Sequence, residues 1–223
     1  MSDRPPAPAH LNFQARREEF RDLTLPERFE RIARTNLWGA ESSRSGLGSQ
    51  LDTTAGLRAA LPAFLERHGV SSLLDVPCGD FSWLSAIDLR IPYIGADIVE
   101  ALARENEKRF GGPQSNRRFV HLDLTRDPLP RADAVLCRDC LVHLSFEHIF
   151  RAIDNIRGSG ARYLLTTTFL EHEQNEDIED GDWRMLNLRR PPFDFASPVD
   201  VLIEGCVEGD GAYADKALGL WAL

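Results

Sequence analysis

Three aspartates, each closing a short apolar run, are the first residues in this 223-residue chain whose spacing suggests chemistry: Asp75, Asp97 and Asp123. The runs they close, 71–76, 92–97 and 118–122, have the length and composition of strands, and helical patterns intervene. When strands and helices alternate, the strands pair in parallel and their carboxyl ends line one crevice, where ligands bind. Three acids at three successive strand ends would therefore face a single crevice. Asp97 follows Asp75 at about the 20-residue offset expected of an acid that holds ribose hydroxyls. A carboxylate accepts hydrogen bonds from a diol or an amine and repels a pyrophosphate. Gly79, at the turn after the first strand, permits a close backbone approach that a Cβ would prevent. Any single acid of this kind can instead cap a helix, a role open to Asp80, Asp97 and Asp139. Three at successive strand ends favour ligand binding.

The fourth strand, 132–137, is followed by Arg138, Asp139 and His143. An imidazole titrates near neutrality, so His143 is the first candidate for a general base, with Asp139 as the second. The competing readings are a packed, hydrogen-bonded histidine and an aspartate paired with Arg138, Arg118 or Arg184. His121 lies inside a strand and reads as structural. Cys137 and Cys140 form a C-x-x-C without a matching second pair, so buried thiols are expected and not a redox or zinc site. Asp139 with Glu171 or Asn175 would suit a metal by ligand type, but nothing fixes their spacing, and no metal site is assigned.

These residues need a frame. A helix over 24–33 begins with capping-box spacing at Thr24 and Glu27, and a Gly/Ser/Thr-rich stretch from Gly39 to Thr54 follows it. That stretch is either a flexible linker or a loop that closes over a ligand. A helix over 53–68 places Leu57, Leu61, Phe64 and Leu65 on one face, ahead of the first strand. Short helices over 81–87 and 99–110, a helix capped by Ser145, and a fifth strand at 162–168 complete the alternation. Residues 170–198 have no clear period. Seven acids between Glu171 and Asp182 read as a solvated, mobile segment after the fifth strand, and Trp183–Leu188 with Pro191–Phe193 as a partly apolar wall. Strands at 199–204 and 217–223 close the sheet as an antiparallel hairpin. Residues 1–10 are expected to be a disordered tail, 11–68 to hold N-terminal helices and the Gly/Ser lid segment, and 69–223 to form the core.

Composition narrows the functions. With 43% apolar residues, one sizeable core is affordable. A net charge of −9 disfavours a nucleic-acid partner, which needs a basic face. No run approaches the roughly 18 apolar residues of a membrane span. The N-terminus lacks the apolar region of a signal peptide, so a reducing, cytoplasmic setting is expected. The single glycine at the first turn, with Asp80 and Phe81 after it, is a poor match to the G-x-G-x-x-G of dinucleotide folds.

The run Asp75-Val-Pro-Cys78-Gly79 resembles the first motif of class I S-adenosylmethionine-dependent methyltransferases in its D-x-x-C-G variant, and residues 71–223 resemble that family across its core. The resemblance implies a doubly wound, Rossmann-like α/β fold: a seven-stranded sheet with an antiparallel C-terminal strand. It implies S-adenosyl-L-methionine as cofactor, with Asp75, Pro77 and Gly79 around the methionine part. Asp97 is then on the ribose, Ile98 packs on adenine, and Asp123 with Leu124 lies at the base edge. Leu136–His143, including Arg138, matches the fourth-strand segment that borders cofactor and acceptor. The stretch W-G-x-E-S-x-x-S-G-x-G-S from Trp38 to Ser49 looks like one found upstream of the core in a bacterial subgroup, which adds Trp38 and Ser49 to the cofactor set. Asp80-Phe81 departs from the pattern, since many members place a third small residue there. The expectation is a methyltransferase acting on a small-molecule acceptor, at oxygen in preference to nitrogen, with His143 and Asp139 as catalytic candidates. The rivals are a non-catalytic S-adenosylmethionine-binding module and a nucleotide-cofactor oxidoreductase. Oligomeric state is not legible.

Overall fold

The computed structural model describes residues 4–223. Its strands are β1 (Leu73–Asp75), β2 (Tyr93–Asp97), β3 (Arg117–His121), β4 (Ala134–Cys137), β5 (Tyr163–Phe169), β6 (Asp200–Ile203) and β7 (Lys216–Ala222). They form one sheet in the order β3-β2-β1-β4-β5-β7-β6. The first five are parallel to one another, while β7 runs antiparallel to both β5 and β6. The chain starts at the centre of the sheet and winds outward both ways. β1 and β4 are therefore adjacent at the switch point, where the crevice must lie.

Central parallel strands are buried on both faces, so β1 and β4 read as unbroken apolar runs and every residue in them is buried. Their side chains alternate between two cores. Leu74, Val135 and Leu164 enter one with Ile149, Ile153 and Ile156. Leu73, Leu136 and Leu165 enter the other with Leu61, Phe64 and Phe119. The helices that cover these faces are α1 (Pro8–Ala15), α2 (Leu25–Thr35), α3 (Ala55–Arg67), α4 (Ser82–Ser85), α5 (Glu100–Phe110) and α6 (Phe146–Gly158). Local signals set their ends. The Thr24–Glu27 capping box opens α2, and Ser145 accepts the His148 amide at the start of α6. Among the described residues, no helix is long and apolar enough to cross a membrane.

Three expectations are revised. Residues 4–10 are not a disordered tail: Ala7 is buried, α1 starts at Pro8, and Arg4 pairs with Asp215 at 2.5 Å. Residues 1–3 lie outside the described set. Phe13, Phe20, Ile32 and Leu37 form a small core that docks α1 and α2, each contributing ~1.5–3 kcal/mol on burial.

The acidic loop is exposed at Glu171, Glu173 and Glu176, as a solvated segment would be, but from Asp177 to Asp182 it is tied down. Asp177 and Asp180 accept the Phe146 and Ser145 amides at the start of α6, and Asp182 accepts from Gln14 and contacts His10. Asp177 and Asp180 thus face free amides at the positive end of a helix, which is where carboxylates stabilise.

α4 is a single turn in place of 81–87. Phe81 takes a left-handed φ of 57° and its ring enters a cluster with Tyr93, Phe110 and Phe119. Burial of that ring accounts for a bulky residue at a turn where a small one was expected.

Candidate active site

All the residues singled out as cofactor-facing or catalytic line one crevice of ≈ 980 Å³ at the carboxyl edge of the sheet. Asp75, Pro77, Gly79, Asp97, Ile98, Asp123 and Leu124 come from the ends of β1, β2 and β3, and Arg138, Asp139 and His143 from the segment after β4. Trp38 and Ser49 arrive from the Gly/Ser stretch. That stretch is neither extended nor loose. Asp80 accepts the Arg44 amide at 2.8 Å, and the Asp80 amide donates to Ser45 Oγ at 3.0 Å. At Gly79, with φ 55°, a Cβ would overlap Ser45 Oγ, so glycine is required by the loop that packs on it.

The three strand-end acids have different environments. Asp75 is 3% exposed and accepts the Tyr93 hydroxyl at 2.6 Å; burial outweighs that bond and pushes its carboxyl up to about 7. Asp97 accepts the Gly79 amide at 2.9 Å and the Val99 amide at 2.8 Å. Burial still raises it to about 6, against those two donors. Each oxygen keeps a lone pair, so both acids can take further donors. Asp123 is spent differently. One oxygen accepts the Thr125 amide and hydroxyl at 2.9 and 2.7 Å, and the other pairs with Arg126 at 3.2 Å. It closes its own turn, and its fit to an adenine amino group is correspondingly poor.

After β4 the charges are committed to one another. Arg138 is 6% exposed and donates twice to Glu204, at 2.6 and 3.2 Å, and once to the Gly48 carbonyl at 2.8 Å. Its remaining nitrogen lies 3.1 Å from Asp139, so the guanidinium holds the loop rather than offering free donors to a cofactor. Asp139 also accepts from Lys216 at 2.7 Å. Burial would raise its carboxyl, but Arg138 and Lys216 outweigh this and hold it well below the usual carboxylate range. The expected pairing is thus made with Arg138 and Lys216, not Arg118 or Arg184. A carboxylate so stabilised is a poor proton acceptor, which removes Asp139 as a general base. The metal alternative is not assembled either. Glu171 pairs with Arg4, and Asn175 donates to the carbonyls of Asn187, Arg190 and Pro191.

His143 is the group left available. Its Nδ1 lies 2.7 Å from the Asp182 carbonyl, which can only accept, so Nδ1 carries the proton and Nε2 presents a lone pair. Burial pushes the imidazole down to about 4, so it is neutral at pH 7. Its ring stacks on Trp38 at 4.3 Å and 24°. Nε2 makes no hydrogen bond with the described residues.

Beyond His143 a second chamber of ≈ 550 Å³ shares Trp38, Ser45, Asp139 and His143 with the crevice. Its remaining walls are the turn at Gly48, the aromatic residues Phe169, Trp183 and Tyr213, and Glu208 with Lys216, roofed by Ala7–Ala9. Lys216 and Glu204 went unread in the sequence because the antiparallel pairing of β7 with β5, which sets Lys216 opposite Phe169, is what carries them to Asp139. The Trp183 side of the predicted apolar wall does line this chamber. Phe193 instead packs on Phe146 and Phe150, away from it. Cys137 and Cys140 are free thiols.

No protein-family model and no curated protein matches the chain. Solved structures do resemble it. The methyltransferase domain of bacterial CtHen1 is similar at 16% identity and a TM-score of 0.56, over 78% of this chain and 100% of that one. Mitomycin 7-O-methyltransferase MmcR is similar at 17% identity and a TM-score of 0.56, over 87% of this chain and 60% of that one. The chain has the α/β, seven-stranded Rossmann-like fold with an antiparallel C-terminal strand that these two methyltransferases use.

Proposed function

We propose that the protein is an S-adenosyl-L-methionine-dependent methyltransferase that modifies a small molecule at oxygen. The carrying observation is the pair of buried carboxylates, Asp75 and Asp97, at adjacent strand ends of a crevice that opens at His143 into a second chamber. The crevice fits the cofactor in donor chemistry. It offers acceptors for an amino group and a diol, and apolar walls at Ile98, Val99, Leu122 and Leu124 for a flat base. Asp97 would hold the ribose and Asp75 the cationic methionine part, where either partner would draw these raised carboxyls back to the ionised form.

When bound, the cofactor supplies an activated methyl group on a sulfonium. The protein's task is then to bring an acceptor oxygen into line and take its proton. His143 does the latter: the hydroxyl proton passes to Nε2, while the Asp182 carbonyl keeps the other nitrogen protonated and the Trp38 face fixes the ring. An imidazole this weakly basic serves best when proton and methyl move in one step, since no free alkoxide has to form first.

Calorimetric titration with S-adenosylhomocysteine and, separately, NADH tests the cofactor reading. Binding of the first and not the second is expected, and the reverse result would rule the reading out in favour of an oxidoreductase.

A further inference from the structure

We propose that the chamber next to His143 recognises its acceptor through a protonated amino group placed against Glu208, with the acceptor's hydroxyl at His143. This deepens, and rests on, the methyl-transfer reading above.

Charge pairing around Gly48 leaves one position open. A Cβ built on Gly48 would lie 2.9 Å from Asp139 Oδ2, 3.3 Å from Lys216 Nζ and 3.6 Å from Glu208 Oε1, so these groups converge on one glycine. Arg138 joins them through the Gly48 carbonyl, and Glu204 through Arg138. The group holds three carboxylates, Asp139, Glu204 and Glu208, against two cations, Arg138 and Lys216. Both cations are already engaged: Arg138 with Glu204 and Asp139, Lys216 with Asp139 at 2.7 Å and Glu204 at 3.7 Å. Glu208 has no ion pair among the described residues, and the one hydrogen bond its carboxylate accepts from them is the weak one from the Cys206 thiol at 3.9 Å. Burial pushes its carboxyl up, as expected for an acid short of a partner.

The rest of the chamber suits a cation on an apolar skeleton. Phe169, Trp183 and Tyr213 stand edge to face with centroids 5.4–6.1 Å apart, and all three line the chamber beside Glu208. Aromatic faces attract an ammonium group through the ring quadrupole. An anionic acceptor would meet Glu208 with no free cation to offset it, and a neutral one would leave Glu208 unpaired. The chamber's wall at His143 is the Trp38 ring stacked on the imidazole, which leaves Nε2 as the acceptor for the ligand's hydroxyl. The amino group is a handle: held as ammonium it has no lone pair, so the nucleophile is the oxygen at the far end.

Three matched phenols test this on protein saturated with S-adenosylhomocysteine, by calorimetry: tyramine (ammonium), 4-ethylphenol (neutral) and 3-(4-hydroxyphenyl)propionate (carboxylate). Tyramine should bind ~10-fold or more tightly than 4-ethylphenol, as a charge-assisted bond predicts, and the propionate more weakly than either. In Glu208→Gln, tyramine should drop to the level of 4-ethylphenol while S-adenosylhomocysteine and 4-ethylphenol keep their affinities, which also reports an intact fold. Equal binding of tyramine and 4-ethylphenol to wild type, or no tyramine binding at millimolar concentration, overturns the proposal. Weakened S-adenosylhomocysteine binding in Glu208→Gln overturns it too, by moving Glu208 to the cofactor. If wild type binds no S-adenosylhomocysteine, it is the methyl-transfer reading that fails. The tyramine preference, measured again on the ligand-free protein, then still decides the role of Glu208.

Discussion

The crevice and the chamber meet at His143 but are built on different principles. The crevice takes its acids from the ends of β1, β2 and β3, within about 50 residues of chain, and two of them, Asp75 and Asp97, stand without an ion pair among the described residues, their carboxyls raised by burial. The chamber is assembled from residues 7–9, 45–48, 139–143, 169–183 and 206–216; Asp139 and Lys216 in it are locked together, and Glu208 is left over. Strand ends in a parallel sheet form a fixed platform, whereas loops and a strand hairpin supply the variable side. A shared binding chemistry fits the platform, and a particular acceptor fits the loops.

The sharpest way to break this division is at its boundary. His143→Asn should lower turnover of an identified acceptor by ~10²–10⁴-fold while S-adenosylhomocysteine affinity stays nearly intact. A parallel loss of cofactor affinity in calorimetry would make His143 part of the crevice wall instead.

In the charge cluster between crevice and chamber, Arg138→Met should cost ~3–5 kcal/mol of stability in urea unfolding, because Glu204 and Asp139 would be left buried without their shared guanidinium. Replacing Glu204 by Leu in the same chain should recover much of that. No recovery would mean that the guanidinium acts mainly through packing on Trp83 and the Gly48 carbonyl.

On the crevice side the effect should appear in binding. Asp97→Asn keeps size and one acceptor oxygen, and should weaken S-adenosylhomocysteine by ~10-fold, the loss of a charge-assisted bond. Asp97→Ala should in addition destabilise the fold by ~1–3 kcal/mol, since the Gly79 and Val99 amides lose their acceptor. Asp123→Asn should change affinity little, its carboxylate being engaged with Thr125 and Arg126. A larger loss at Asp123 than at Asp97 would reverse these assignments.

The smallest effect is a pH dependence. Asp75 in the ligand-free protein titrates near 7, and a cationic partner favours its ionised form. Binding therefore releases a proton below that pH, and affinity should rise about twofold between pH 7 and 8 through this group. Without ligand the sign is opposite. A folded pKa above the unfolded value contributes stability that is present at low pH and lost as pH rises from about 4 toward about 7. Calorimetry in buffers of different ionisation enthalpy measures the proton. Its absence would mean that Asp75 stays neutral under the ligand.

How much could be read beforehand follows the same division. Apolar runs ending in Asp75, Asp97 and Asp123 are visible because parallel strands buried on both faces leave an unbroken signal. The Thr24–Glu27 box and the Ser145 cap are local and were legible for that reason. The engagement of Asp123 with Thr125 two residues on is also local, yet an acid at a strand end serves a turn or a ligand equally well by sequence. Lys216, Glu204 and Glu208 were silent, because only the hairpin register brings them to Asp139. Asp177, Asp180 and Asp182 misled for a related reason: their partners lie on α1 and at the start of α6, and composition carries no trace of such distant pairings.

One contact bears on how the molecule comes together in time. The Tyr213 hydroxyl donates to the Pro5 carbonyl, and Arg4 meets Asp215, so the roof of the chamber joins segments more than 200 positions apart. Closing so long a loop is entropically costly before any contact rewards it, and contacts of high sequence separation form slowly. The crevice, drawn from the middle of the chain, is free to take shape earlier. A refolding molecule should thus regain its grip on S-adenosylhomocysteine before the chamber beside His143 is roofed, and a ribosome must release the segment around Tyr213 before that roof can close.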